Sequence, residues 1–214
     1  MRRDFELLCK AVGENVSRET FDRLTHFEQR FRAWNGRINL VASSTLNDLW
    51  ARHIVDSAQL FALRPKALTW GDLGSGGGFP GLIIAILLKQ VDQGVIHLIE
   101  SNRKKAAFLQ AMVGELDLPA RVHAGRIEDV VGRIPSLEIV TARALANLDH
   151  LLQLTFPWLS AGTTALFHKG RDYRAEIAES AHNWRFNLIE HPSVVDPHSV
   201  ILEIKTLEEK RELL

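Results

Sequence analysis

Five of the fourteen glycines fall between Gly74 and Gly81, in the stretch Asp72-Leu73-Gly74-Ser75-Gly76-Gly77-Gly78-Phe79-Pro80-Gly81. Without Cβ atoms a chain can turn sharply and let a ligand approach its backbone closely. The stretch follows an apolar run and precedes a helical one, and Pro80 suits a first helical turn, where a missing N–H costs nothing. Glu100 closes the next apolar run, twenty-two residues after Gly78. An acidic group at about that spacing is placed to accept hydrogen bonds from a bound ribose. Alone, the glycines could be a structural turn and Glu100 a solvated strand end. Together they point to an adenosine-type ligand.

Dehydrogenases use G-x-G-x-x-G, so that a helix N-terminus holds a pyrophosphate. Here Gly74, Gly76 and Gly78 read G-x-G-x-G, with Asp72 two positions ahead. An acidic Asp72 suits a ligand carrying an ammonium and a sulfonium and opposes a diphosphate. That favours S-adenosylmethionine over NAD. A nicotinamide oxidoreductase would also want a Tyr-Lys pair, and the sole tyrosine, Tyr173, has no lysine three or four residues on. After the third apolar run comes Gly125-Arg126-Ile127-Glu128-Asp129. Ile127 could lie against an adenine and Glu128 or Asp129 accept from its amino group, although capping of a helix explains those acids equally well.

What the sequence lacks narrows the methyl acceptor. Methylation at carbon five of a pyrimidine needs a nucleophilic cysteine, and the one cysteine, Cys9, falls in an N-terminal amphipathic stretch. The fourth apolar run leads into Thr141-Ala142-Arg143-Ala144-Leu145-Ala146, not into the Asn/Asp-Pro-Pro-Tyr/Phe loop of amino-group methyltransferases. A nucleophile with a free lone pair, such as guanine N7, needs neither cysteine nor general base. Catalysis is then mostly alignment for in-line displacement, on a base that is unpaired or flipped out. Arg143 could donate to guanine O6 or to phosphate. A surface or an ion-paired arginine is the alternative. A non-catalytic RNA-binding assembly factor on the same fold also remains open.

The chain resembles the bacterial ribosomal small-subunit methyltransferase G family, also called glucose-inhibited division protein B. The resemblance rests on Trp34-Asn35 with Asn39-Leu40, Arg52-His53-Ile54-Val55-Asp56-Ser57, Asp72 through Gly81, and Glu100-Ser101 with Lys104-Lys105 and Phe108-Leu109. Arg143-Ala144 with Ala146, and Lys169-Gly170, complete the ordered set. It implies methylation at N7 of one guanine in 16S ribosomal RNA. It also implies a cofactor site at Gly74, Phe79, Ile127, Glu128 and Arg143. Nothing is carried over beyond Gly170. His53 and Asp56, three apart on a helix, share a face: they either pack structurally or sit over the cofactor mouth and orient the guanine. Lys169, at the end of the fifth strand, is the leading candidate for RNA phosphate. Arg52, Lys104 and Lys105 are further RNA candidates, the two lysines being equally well read as a solvated helix start.

These residues need elements to hold them. Phe21, Leu24, Phe27 and Phe31 recur at helical spacing behind a possible Ser17 N-cap, and Asn35-Gly36 ends that helix. A second helix is expected over 46–63, stopped by Pro65. Beyond it, strands over 67–72, 95–100, 120–124, 138–142, 163–168, 186–191 and 200–205 alternate with helices over 80–89, 103–116, 127–131, 148–159 and 173–182. That alternation predicts an α/β, Rossmann-like class I methyltransferase fold, a seven-stranded mostly parallel sheet. The last two strands, joined by the short 192–197 loop, should form an antiparallel edge hairpin. A helical extension, 1–66, would precede a methyltransferase domain, 67–214.

Composition limits the rest. The 214 residues suit one domain with an extension. Formal charge balances at 26 basic and 26 acidic residues, but 1–69 hold eleven Lys/Arg against eight Asp/Glu. An RNA partner would therefore meet a local patch. A single cysteine excludes an internal disulfide. The longest apolar run, 81–88, is far short of the about 20 residues that cross a bilayer. A cytoplasmic, monomeric enzyme acting on 16S RNA or the small ribosomal subunit, without membrane, is expected.

Overall fold

The computed structural model describes residues 2–13, 16–134 and 136–210. Two helices open the chain, α1 (Arg2–Val12) and α2 (Arg18–Asn35). Ser17 caps α2, its hydroxyl accepting from the Thr20 N–H at 3.1 Å, and the helix stops at Gly36. The single helix expected over 46–63 is three pieces instead. A 3-10 stretch (Ser43–Asp48) and a π-helical turn (Trp50–Val55) lead into α3 (Asp56–Leu63). The cause is local. The Asp56 N–H bonds the carbonyls of Ala51 and His53, while the Arg52 carbonyl accepts from Arg143 Nη2 at 2.6 Å. A side chain from the carboxyl end of the central strand Ile139–Arg143 has entered the helical ladder, a known origin of π turns.

The sheet contains β1 (Thr69–Leu73), β2 (Val95–Glu100), β3 (Ala120–Ala124), β4 (Ile139–Arg143), β5 (Thr164–Lys169), β6 (Trp184–Pro192) and β7 (Val200–Glu209). Its order is β3-β2-β1-β4-β5-β7-β6. β1 to β5 pair in parallel, and β7 runs antiparallel to both neighbours. The expected strands are all present, β7 extending four residues further than its sequence pattern indicated. Order reverses between β1 and β4, so the crevice beyond their carboxyl ends is where ligands bind in such sheets. The connecting helices are α4 (Gly81–Leu88), α5 (Arg103–Glu115), α6 (Ile127–Val130), α7 (Leu148–Leu159) and α8 (Tyr173–Asn183).

Two apolar layers cover the sheet. On one face α1 to α5 share a core that joins Phe27 and Phe31 to Phe79, Leu82 and Phe108. The Phe31 ring lies 5.1 Å from Phe79 and 5.9 Å from Phe108. The helices of 1–66 are thus packed into the same core as the glycine turn. On the other face α6 and α7 close over β4, β5 and β7 through Leu148, Leu152, Trp158 and Phe167. Among the described residues no helix is long and apolar enough to cross a membrane.

Asn35 fixes how the chain leaves α2. Its buried Oδ1 accepts from the amides of Leu40 and Val41, each at 3.0 Å. This accounts for the Trp34-Asn35 and Asn39-Leu40 motif as a structural clamp. Asn35→Ala would orphan two amides, and a loss of roughly 2–4 kcal/mol in urea denaturation is expected. Asn35→Asp keeps the acceptor and should cost clearly less.

Candidate active site at the carboxyl edge of the sheet

The turn after β1 is held by the protein's own carboxylates. Asp72 is fully buried. Its Oδ2 accepts from the Gly81 N–H at 3.1 Å and its Oδ1 from the Thr141 hydroxyl at 2.9 Å. Glu100 accepts from the Gly76 N–H at 2.8 Å and from the Asn102 N–H at 2.6 Å. Gly74, at φ +65°, lies under Leu145, whose Cδ1 would sit 2.6 Å from any added Cβ. Gly78, at φ +85°, has no room for one because of Leu82. These contacts correct two expectations. Asp72 has no surface with which to meet a ligand, and burial pushes its carboxyl up to about 7. Glu100, with only 7% of its surface exposed, braces the turn. The amides that would hold a pyrophosphate in a dehydrogenase, Gly76 and Gly81, are already occupied by carboxylates. Two buried carboxylates at this turn oppose a diphosphate there.

Beside the turn lies a cleft of about 240 Å³ lined by Gly74, Ile99, Ser101, Gly125 to Glu128, Leu145, Ala146, His150 and Leu154. Ile99, Ile127, Leu145 and Leu154 offer apolar walls to a flat ring. Ser101 and Glu128 add hydrogen-bonding groups. Of the residues expected to bind cofactor, Gly74, Ile127 and Glu128 line this cleft. Phe79 does not: its ring packs among Phe27, Phe31 and His53, fixing the turn to the helical extension. Gly76 and Gly78 lie in the turn behind it.

A second cleft, about 260 Å³, meets the first at Ala146 and is lined by Asp56, Arg143, Ala144, His168, Lys169, Gly170, Glu176 and Ser199. Asp56 organises it. Its Oδ1 accepts from Gln59 Nε2 at 2.6 Å and from the Ser193 hydroxyl at 3.1 Å. Its Oδ2 faces Arg143 Nη2 at 3.3 Å and His168 Nε2 at 3.7 Å. Burial is also the main force lowering the Arg143 pKa. His53 stacks on Phe79 with ring centroids 5.0 Å apart. Burial, reinforced by the Arg143 charge, lowers the His53 pKa to about 4 and leaves the ring neutral. Arg143 is therefore ion-paired and also a wall of the cleft, and Asp56 positions it.

Lys169 is not a free phosphate ligand. It is buried, with Nζ donating to the Ala146 carbonyl at 2.8 Å and to Glu176 at 2.7 Å. The same Glu176 oxygen accepts from the Leu148 N–H at 2.6 Å, so the pair pins the β4–α7 loop between the clefts. Arg52 is exposed and contributes its carbonyl to Arg143. Lys104 is exposed and Lys105 half-buried at the start of α5, where the Asn102 side chain caps both amides. The residues that sequence reasoning missed are Leu145, His150 and Leu154 in one cleft and His168, Glu176 and Ser199 in the other. For Leu145 and His168 a signal existed: both stand at the carboxyl end of a parallel strand, where such folds place ligands.

The raised Asp72 pKa gives a signed prediction. The group is ionised above about 3.8 when unfolded and only above about 7 when folded. The folded chain therefore gains stability from the protonated carboxyl at low pH and loses it as pH rises through 7. Asp72→Asn keeps an acceptor for Gly81 and a group for Thr141 and removes that dependence. Its melting temperature minus that of the unaltered chain should be larger at pH 8 than at pH 5. Equal differences would refute a buried, costly carboxylate.

The model of the family GidB, rRNA small subunit methyltransferase G, matches residues 20–204. A ribosomal RNA small subunit methyltransferase G from Chelativorans sp. (strain BNC1) is 57% identical over 198 residues, 92% of this chain and 94% of that one. Its counterpart in Brucella canis is 54% identical over 203 residues, 95% of each. Among solved structures, an O-methyltransferase from Streptomyces achromogenes in complex with SAM superposes with a TM-score of 0.56. At 13% identity over 90% of this chain and 91% of that one, it shows a shared fold. With a family match over most of its length and relatives above 50% identity, the chain belongs to the rRNA small subunit methyltransferase G family.

Proposed function

We propose that the chain transfers a methyl group from S-adenosylmethionine to N7 of one guanine in 16S ribosomal RNA, working as a cytoplasmic monomer on RNA of the small ribosomal subunit. The observation that carries this reading is the meeting of the two clefts at Ala146. One cleft has the apolar walls and acceptors for an adenosine, and the other has an arginine held in place by Asp56.

Ile127, Leu145 and Leu154 would enclose the adenine of the cofactor, with Glu128 accepting from its amino group. Bound there, the cofactor supplies an electrophilic methyl on a sulfonium. The guanine N7 lone pair forms the new bond while sulfur keeps the electrons of the old one. Positive charge moves onto the purine, and no proton moves. The protein therefore has to align and shield, and neutral histidines such as His53 are compatible with that task. Arg143, anchored through Nη2, points its other nitrogen to a substrate acceptor, O6 or phosphate. Exposed Arg52 and Lys104 supply charge for the RNA backbone.

Borohydride–aniline cleavage of 16S RNA from cells lacking the protein should lose one N7-methylguanine signal, and restoring the gene should return it. Retention of every signal would refute the assignment. Arg143→Ala should lower kcat/KM on such subunits roughly 10²-fold, the scale of a misaligned reactant. In that variant Gln59 and Ser193 still bond Asp56 Oδ1 while Oδ2 loses its arginine, so thermal denaturation runs beside the assay and separates lost folding from lost catalysis.

A further inference from the structure

Among the described residues, four buried side-chain polar atoms have no hydrogen-bond partner: His53 Nε2, Ser57 Oγ, Arg143 Nη1 and His168 Nδ1. Buried polar atoms are nearly always paired, so each orphan needs a physical cause. All four gather around Asp56. Ser57 follows it in the chain, His53 lies on the preceding turn, and Arg143 and His168 face its carboxylate. Such a concentration marks a place built to receive a polar ligand. Two of the four residues, Arg143 and His168, line the second cleft.

The polarity of those two atoms is fixed. His168 keeps 7% of its surface, and its Nε2 lies 3.0 Å from the Asp56 carbonyl oxygen. A carbonyl only accepts, so Nε2 carries the proton and Nδ1 presents a lone pair. Burial, with Arg143 adding to it, holds the His168 pKa near 4, so the ring is neutral at physiological pH. Arg143 can only donate. Two residues that line the cleft therefore carry one unpaired acceptor and one unpaired donor, both buried just beneath its surface. Guanine carries the matching pair side by side, the N1–H donor and the O6 acceptor. Adenine carries the reverse, an N1 acceptor and an amino donor.

We propose that His168 Nδ1 accepts from N1–H of the target guanine while Arg143 Nη1 donates to its O6, so that His168 selects guanine over adenine and holds the base with N7 toward Ala146. The assignment rests on the N7-methylation reading above. Ala144, which lines the cleft beside Arg143, holds a left-handed φ of +51°. As N7 gains its methyl the purine becomes cationic and N1–H more acidic, so the bond to His168 strengthens in the transition state, where it serves catalysis. His168 is thus a specificity-determining residue for the reaction.

Two substitutions separate its two nitrogens. His168→Gln keeps a donor where Nε2 meets the Asp56 carbonyl and deletes the acceptor. His168→Asn puts an oxygen where Nδ1 stands. On small subunits from cells lacking the protein, the Gln variant should lose about 10²-fold in kcat, as expected for an unpaired substrate donor. Its affinity for S-adenosylmethionine should not change. The Asn variant should recover much of the loss, which a purely structural role for His168 would not allow. A second arm uses the unaltered protein and needs no variant to fold. Subunits are reconstituted with guanosine, inosine, 1-methylguanosine or adenosine at the mapped position. Guanosine and inosine, which keep O6 and N1–H, should accept methyl, and the other two should not. A Gln variant as fast as the unaltered protein, or 1-methylguanosine as good as guanosine, would overturn the assignment. Failure of the unaltered protein on guanosine would instead overturn the N7 reading and this inference with it.

Discussion

Asp72 spends hydrogen-bonding capacity inside the protein that a ligand-facing residue would have kept. Its carboxyl ties the end of β1 to the first amide of α4 and to the Thr141 hydroxyl on β4. These are the three elements whose divergence opens the crevice. The arrangement also restricts sequence nearby: a Cβ at Gly81 would come 2.4 Å from Leu98 Cδ2 and 2.5 Å from Asp72 Oδ2, so the strand packing and the carboxylate together require glycine there. Burying the group carries a desolvation cost, visible in its raised pKa. In return the helix N-terminus is neutralised from within. A turn that could have cradled a phosphate is left suited to a ligand without one.

Part of the site comes from outside the sheet. Residues 1–66 pack α2 and α3 against the glycine turn through Phe27, Phe31 and Phe79, and they supply Asp56 and the Arg52 carbonyl. Arg143, at the end of β4, joins the sheet to these residues by bonding both. The π turn is the local adjustment that makes this possible, because it frees the Arg52 carbonyl from the helical ladder. Ser193, in the β6–β7 connection, closes the ring from a third direction. The second cleft thus takes Asp56 from the helical extension and its other lining residues from the strand ends and loops of the sheet, and it meets the first at Ala146.

Much of the architecture was legible because parallel strands buried on both faces read as short apolar runs, and G-x-G-x-G between a strand and a helix suits few turns that do not meet a ligand. The parts that stayed illegible share a cause: partners distant in sequence. Lys169 looks like a free cation until Glu176 and the Ala146 carbonyl are found on it. The 46–63 stretch carries helical periodicity, and only Arg143, about ninety residues away, reveals why it breaks. Asp72 stands out by type and position, yet its partners are an amide and a hydroxyl of the protein, not a ligand. Charge type shows in a sequence, and burial of that charge does not. His168 follows the apolar run Thr164-Ala165-Leu166-Phe167 as one more strand residue, and its significance appears only beside Asp56.

Burial also reconciles the histidines near Asp56 with the charge that the reaction moves. Methylation at N7 turns a neutral base into a cation. Were His53 and His168 protonated, the product would form against three positive groups in a medium that screens them poorly. Burial holds both histidines near 4, Asp56 balances Arg143, and Glu176 balances Lys169. The cleft is then close to neutral overall, with fixed dipoles in place of charges. Its donors and acceptors can orient a purine before transfer without repelling it afterwards. Selectivity by hydrogen bonding and tolerance of a cationic product thus follow from one feature, the exclusion of water around Asp56.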